Sequence, residues 1–174
     1  TQASGNLTLS NSGGTINKNI TKTGAGSLTL GGTINGTMAL AVNQGTLTLT
    51  GNAIDYNGAT TISGGRLLLY NNDDTWTSGL NVSSGATVEI YRDSGTTYEH
   101  RAAFTLSGAG TLEKTGNGAA SMSWDLGGTV NMASGGLIHV KGGTLRLEYG
   151  ALSNWTANLS DLTVDSGATF DLWD

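Results

Sequence analysis

A short strand-like motif recurs along this chain of 174 residues at intervals of 19 to 33 residues, most of them between 19 and 25. Each copy alternates apolar and polar residues, and the copies align on Leu7, Leu28, Leu47, Leu67, Val88, Leu112, Leu145 and Phe170. Alternation with a period of two is typical of a strand that buries one face. Return of such a strand at an interval of this length indicates a solenoid, in which each repeat packs against the next.

Glycine-rich segments separate these strands, as in TKTGAGSLTLGG at 21–32. Glycine adopts tight or left-handed backbone conformations without steric cost, so these segments are predicted to be corners. A second strand precedes several corners, with inward residues expected at Ile62, Val82, Leu106, Val140 and Val164. We therefore predict an all-β fold, a single-stranded parallel β-helix (β-solenoid) of about eight coils of roughly 20–25 residues, in which like apolar side chains stack inside.

A β-sandwich is the alternative architecture. Asn35-Gly36 and Asn57-Gly58 are dipeptides that favour hairpin turns. Sandwich strands, however, usually follow one another every 8–12 residues, whereas here one motif returns at the interval of a whole coil. The solenoid is therefore favoured.

Composition narrows the class of protein further. The chain has 28 glycines, no proline, no cysteine, 12% charged residues and a net charge of −5. No basic cluster suggests nucleic-acid binding, no cysteine is available for disulfides or zinc, and no apolar run is long enough to insert in a membrane. With no initial Met, we expect a single solenoid segment, 1–174, excised from a longer exported protein, with short regular coils at 1–64 and longer coils with aromatic-rich loops at 65–174.

Two stretches resemble a known repeat. ITKTGAGSLTLGG (20–32) and LSGAGTLEKTG (106–116) resemble the autotransporter-associated β-strand repeat of bacterial surface proteins, through a Lys-Thr-Gly-x-Gly-x-Leu-x-Leu pattern. The first copy matches closely from Lys22 to Gly31, whereas the second is offset, with its Leu112 before Lys114. The resemblance implies a right-handed β-helix of a passenger type, secreted or at the bacterial cell surface, and it implies no catalytic residue.

Aromatic residues enter the later coils at two positions relative to the aligned strands. Tyr70, Tyr91, Tyr149 and Trp173 follow theirs by three or four residues, and we expect them to stack as a structural ladder. A second set of aromatic residues lies nine to twelve residues after the aligned residues of the repeated strands. We expect these rings either to bind sugar rings or to stack on one another. As a glycan-binding surface with neighbouring polar groups, this set comprises Trp76, Tyr98, Trp124, Trp155, Asp73, Asp74, Arg92, Glu99, Arg101 and Asp125.

Catalysis and metal binding are not expected. YRDSGTTYEHR (91–101) is the densest polar stretch, but no facing cluster supports it as a polysaccharide lyase or hydrolase site, and His139 is expected to face outward without a role. Asn71 to Asp74 offer oxygen ligands for Ca²⁺ without the calcium-binding repeat pattern, so no cofactor is predicted. The expected function is an adhesin-like, carbohydrate-binding extracellular module that acts as a monomer on a polysaccharide or cell-surface glycan. The alternatives are a passive stalk of a surface protein and a fragment of a polysaccharide lyase or hydrolase.

Overall fold

The computed structural model describes residues 5–50, 53–70, 79–93, 98–101, 105–123, 129–148 and 158–173. Within these residues every regular element is a strand. The same residues contain no helix that is long and apolar enough to cross a membrane. In chain order the strands are β1 (Leu7–Ile16), β2 (Ile20–Lys22), β3 (Ser27–Gly36), β4 (Leu40–Val42), β5 (Thr46–Leu49), β6 (Ala53–Tyr56), β7 (Thr60–Ile62), β8 (Arg66–Tyr70), β9 (Leu80–Val82), β10 (Thr87–Tyr91), β11 (Tyr98–Arg101), β12 (Thr105–Gly108), β13 (Thr111–Thr115), β14 (Ala119–Ser123), β15 (Thr129–Met132), β16 (Leu137–Val140), β17 (Thr144–Glu148), β18 (Asp161–Val164) and β19 (Thr169–Trp173).

These strands pair in parallel and form three sheets that the chain visits in turn. The first sheet has the order β1-β3-β5-β8-β10-β13-β16-β18, with β6 paired to the second half of β3. The second sheet has the order β2-β4-β7-β9-β12-β15, and the third β11-β14-β17-β19. Neighbours in a sheet are one winding apart in the chain, which confirms the predicted parallel β-solenoid. The six strands of the second sheet are joined by five turns of the chain and the eight strands along the first sheet by seven, so the count differs slightly from the eight coils predicted.

The leucine ladder of the first sheet has the predicted register up to Leu112. The paired residues are Leu7, Leu28, Leu47, Leu67, Val88 and Leu112, each opposite the next. Beyond this point the predicted alignment is wrong: Leu112 pairs with Ile138, which pairs with Leu162. Leu145 and Phe170 pair with each other in the third sheet instead. The cause is the alternating pattern itself, which suits a strand of any sheet and does not indicate which one.

The predicted second strand shows the same kind of difference. Ile62 and Val82 are paired in the second sheet, as expected. Leu106 is also in that sheet, but it lies opposite Leu80 rather than Val82. Val140 and Val164 belong to the first sheet, where they pair with each other. The handedness of the winding stays a prediction.

Inward-facing aliphatic side chains fill the interior along the whole stack. Leu47, Leu67 and Val88 are completely buried, as are Ile62 and Val82 of the second sheet. Burial of one such side chain stabilises the fold by roughly 1.5–3 kcal/mol. The continuous column of apolar side chains is therefore the main source of stability, and each coil contributes to it only when its neighbours are present.

Glycine is required at one corner because successive coils approach very closely there. A Cβ atom added to Gly45 would lie 2.7 Å from the Lys22 Nζ and still closer to the carbonyl oxygens of Gly24 and Gly26 on the preceding coil. Real Cβ contacts essentially never fall below 3.0 Å. The glycines of the repeated motif thus leave space for the neighbouring coil as well as bending the chain.

Candidate functional site

Two tyrosines stack on the outer face of the first sheet. Tyr70 ends β8 and Tyr91 ends β10, and the two residues lie opposite each other in the register. Their ring centroids are 4.7 Å apart and their planes differ by 5°. This spacing equals the distance between neighbouring strands, so the sheet itself sets the stack. Each ring therefore covers one face of the other, as expected for a structural ladder.

The predicted ladder does not continue beyond this pair as one row. Trp173 belongs to β19 in the third sheet, whereas Tyr70 and Tyr91 belong to the first. Tyr149 lies outside the described residues. Desolvation raises the pKa of Tyr91, and the nearby ionisable groups of Tyr70 and Asp93 raise it further, so its hydroxyl stays protonated at neutral pH.

A network of ion pairs lies beside the tyrosines on the same face. Glu89 and Glu113 are opposite each other on β10 and β13. Arg66 of β8 bridges them, since its Nη1 donates to Glu89 Oε2 and, at 2.9 Å, to Glu113 Oε2. Lys141 Nζ donates to Glu113 Oε1 at 2.7 Å. Both glutamates lie on the outward face of their strands, and Glu113 is buried there beneath its two cationic partners.

The pKa values of this network follow from those contacts. Burial alone would raise the pKa of Glu113, but the hydrogen bonds from Lys141 and Arg66 outweigh it and lower the pKa overall. Burial likewise opposes the charge of Arg66, and its two glutamate partners raise its pKa overall. Arg66 and Glu113 are therefore both charged at neutral pH, and their charges are directed at each other.

His139 occupies the next position of the same outward column. His139 lies on β16, opposite Glu113 of β13. Its Nε2 is 2.8 Å from Asp165 Oδ1, so it pairs with the adjacent coil. The outward orientation is as predicted. The contact joins two coils and gives the imidazole a structural partner.

The lysine of the Lys-Thr-Gly motif has a role that the sequence did not indicate. Lys22 is buried, and its Nζ donates to the carbonyl oxygens of Thr23 (3.1 Å), Gly24 (2.6 Å) and Gln44 (3.1 Å). The first two carbonyls belong to its own corner and the third to the corner of the next coil. A single ammonium group thus joins two coils at a point where glycine leaves the backbone without side-chain cover.

Lys114 repeats this arrangement at a different corner. Its Nζ donates to the carbonyls of Thr115 (2.7 Å), Gly116 (3.2 Å) and, on the next coil, Gly142 (3.1 Å). Lys22 ends a strand of the second sheet, whereas Lys114 lies in β13 of the first sheet. The Lys-Thr-Gly unit is therefore a local corner structure that fits between different pairs of sheets.

Lys114 also explains the one exception to alternation in its strand. It lies between Ile90 and Val140 in an inward column and is 0% exposed. Desolvation lowers its pKa to about 8, and the charge of Arg92 adds to the effect. The sequence pattern Lys-Thr-Gly-x-Gly could have indicated the shared role of the two lysines, since it occurs twice, beginning at Lys22 and at Lys114.

Arg92 does not lie where a glycan-binding residue was expected. It follows β10 at the corner, where its N–H donates to the Thr115 carbonyl at 3.1 Å and its carbonyl accepts from the Gly118 N–H at 3.0 Å. Its side chain is 1% exposed and points into the solenoid. The local stretch is polar, but Arg92 occupies an inward position, so its guanidinium is not presented to a ligand outside.

The other predicted binding residues are described in part or not at all. Tyr98, Glu99 and Arg101 lie in β11, the first strand of the third sheet, where only the backbone is described. Glu99 is in the register column of Arg146, and Arg146 Nε donates to Asp171 Oδ2 at 2.8 Å. The remaining predicted residues lie outside the described parts of the chain: Trp76, Trp124, Trp155, Asp73, Asp74 and Asp125.

Metal ligands do not cluster in the described residues, where no group of three or more His, Cys, Asp or Glu side chains is arranged to hold an ion. The sequence candidate for Ca²⁺, Asn71 to Asp74, lies outside them. The candidate site in the described residues is thus the outer face of the first sheet, with the stacked tyrosines and the ion pairs of Arg66 and Lys141 with glutamates.

Comparison with known proteins adds no family. No protein-family model matches the chain, and neither curated proteins nor solved structures give a match.

Proposed function

We propose that the chain is a non-catalytic module of an exported bacterial protein and binds glycans through aromatic and polar residues of its longer coils. The proposal includes the finer identity suggested by the Lys-Thr-Gly motif: a passenger-type solenoid of a secreted or cell-surface protein. Two matching lysine corners, at Lys22 and Lys114, support this identity because they give the motif a shared structural basis.

Connectivity carries the glycan-binding part of the proposal. Trp76 lies between β8 and β9, Trp124 between β14 and β15, and Trp155 precedes Leu159, whose N–H donates to the Met132 carbonyl of β15 at 2.9 Å. The first two segments therefore lead into the second sheet, and the third leads to a residue that is hydrogen-bonded to the last described strand of that sheet. We expect the three tryptophans along one edge of the solenoid, in three of four consecutive coils.

Coil length supports the same conclusion. Register-matched residues of the first sheet are 19–21 residues apart up to Val88 and 24–26 residues apart beyond it. Because the sheets keep their register, the added residues are accommodated outside the first-sheet ladder. Sugar rings pack their C–H faces on aromatic rings, and carboxylates such as Asp73, Asp74 and Asp125 accept hydrogen bonds from the hydroxyls.

A glycan array with two double variants tests the proposal. We expect Trp76→Ala/Trp124→Ala to abolish binding and the matched control Tyr70→Ala/Tyr91→Ala to retain it, because the tyrosines stack on each other in the first sheet. Circular dichroism verifies that both variants keep their β structure. Absence of binding by the unmodified protein, or equal loss in both variants, would reject glycan binding at these residues.

A passive stalk is the second candidate. It is favoured by the first sheet, where Arg66 and Lys141 are engaged by glutamates and the tyrosines by each other. A surface saturated by its own contacts suits a spacer that projects another domain. Absence of binding to every glycan, together with intact folding, is the result expected for this alternative.

A further inference from the structure

The outer faces of the first and second sheets differ in charge. The first sheet has Arg66, Glu89 and Glu113 on its outward face. In the second sheet the middle outward residues of the six strands lie in one register column, and none of them is charged: Thr21, Ala41, Thr61, Asn81, Ser107 and Asn131. We call these six residues the neutral column.

The chain stays uncharged beside the neutral column. The corners that lead from the second sheet to the first contain only Gly, Ala, Ser, Thr, Asn and Gln, at 23–26, 43–45, 63–65, 83–86, 109–110 and 133–136. Neighbouring strands of a sheet lie about 4.8 Å apart, so a column over six strands is roughly 24 Å long. The solenoid thus has one long uncharged surface that runs parallel to its axis.

The neutral column has hydrogen-bonding groups that the protein itself does not use. Asn81 Nδ2 donates to Ser107 Oγ at 3.0 Å, which leaves the Asn81 Oδ1 as an acceptor and the Ser107 hydroxyl as a donor. Thr61 and Asn131 are exposed, and their side chains have no hydrogen-bond partner among the described residues. Amides and hydroxyls both donate and accept hydrogen bonds, as the hydroxyls of a sugar do.

Cationic side chains of the longer coils are engaged elsewhere. These coils contain Arg66, Arg92, Arg101, Lys114, Lys141 and Arg146. Arg66 and Lys141 pair with glutamates, and Arg146 pairs with an aspartate. Arg92 and Lys114 are at most 1% exposed. Each of the five cationic side chains that the structure describes is therefore paired with an acid or buried, and none of the five is presented to the carboxylate or sulfate of an acidic glycan.

We propose that the bound glycan is an uncharged polysaccharide whose chain lies along the neutral column, parallel to the solenoid axis. This inference rests on the proposed function, since two of the tryptophan segments lead into this sheet, at β9 and at β15. A pyranose unit of an extended chain advances by about the distance between neighbouring strands, so one sugar unit faces each coil. Asp73, Asp74 and Asp125, which lie close to the tryptophans in the sequence, disfavour an acidic chain by like charge.

A glycan array with neutral glucans, mannans and galactans beside polygalacturonate and chondroitin sulfate tests the charge of the ligand. We expect binding to a neutral chain and none to the acidic chains, even at low ionic strength, where attraction between charges is strongest. Oligosaccharides of the bound neutral chain test its direction: affinity should rise up to about six units, one for each strand of the sheet. Preference for an acidic chain, or a plateau at two units, overturns the inference.

Two double variants test the location. Asn81→Ala/Asn131→Ala removes two amides of the neutral column and should lower affinity about tenfold or more. The matched control Thr87→Ala/Thr111→Ala removes two hydroxyls from the outer face of the first sheet and should leave affinity unchanged; circular dichroism verifies that both variants fold. Full binding by Asn81→Ala/Asn131→Ala, with binding lost in Trp76→Ala/Trp124→Ala, overturns this inference and leaves the proposed function standing. Absence of binding to every glycan overturns both.

Discussion

The corner at Gly45 can be perturbed by a single methyl group. Gly45 and Gly85 share nearly the same backbone, with φ of 72° and 78°. They differ in space: a Cβ on Gly85 meets nothing within 4 Å, whereas a Cβ on Gly45 collides with the Gly24 and Gly26 carbonyls and the Lys22 Nζ. The pair Gly45→Ala and Gly85→Ala therefore separates backbone strain from close approach of the coils.

The expected magnitudes follow from this difference. The left-handed conformation costs an L-residue roughly 1–2 kcal/mol, partly offset by the stiffer unfolded chain, so Gly85→Ala should lose about 1 kcal/mol. Gly45→Ala carries the same strain and must also separate two backbones that cannot move independently of the sheets. We expect a loss of about 4 kcal/mol or more, at the upper end for a single substitution.

Thermal unfolding followed by circular dichroism measures both losses. For a chain of this length each 1 kcal/mol shifts the Tm by about 2–4 °C, so Gly85→Ala should lower it by about 3 °C and Gly45→Ala by about 12 °C. Equal shifts for the two variants would refute the claim that the neighbouring coil, rather than the dihedral angle, requires glycine at Gly45.

Three further predictions concern individual charged side chains. Lys22→Met removes three hydrogen bonds and should lower the unfolding free energy by about 3 kcal/mol, whereas exposed Lys18→Met should cost under about 0.5 kcal/mol; urea midpoints compare them. The pKa of Lys114 is lowered from 10.5 to about 8, so the unfolded chain binds more protons between these values. Stability relative to Lys114→Met should therefore rise from pH 8 to 10.5, and a flat difference would contradict the burial penalty. The lowered pKa of Glu113 adds stability that is present above pH 4.5 and is lost as pH falls through the lowered value. The free energy of unfolding of Glu113→Gln should therefore fall less on acidification than that of the unmodified protein.

The candidate site was predictable only in part. Stacking of Tyr70 on Tyr91 follows from equal positions in equal strands, and that prediction is confirmed. Arg92 shows where such counting fails: it was expected among the polar groups of a glycan-binding surface, but it is buried at an inward corner position. The extension of the ladder to Trp173 failed because β19 belongs to another sheet, which strand position alone does not reveal.

Alternation and period by themselves determined that the chain coils in parallel with leucine above leucine, because each short strand can bury its apolar row only against another copy of itself. Only the tertiary structure decided which of the three sheets each later strand joins, and that Lys22 and Lys114 point inward. Those outcomes depend on contacts between residues more than twenty positions apart, such as the bond from Lys114 to the Gly142 carbonyl. A local pattern contains no information on whether a carbonyl of the next coil will lie within reach of a buried ammonium group.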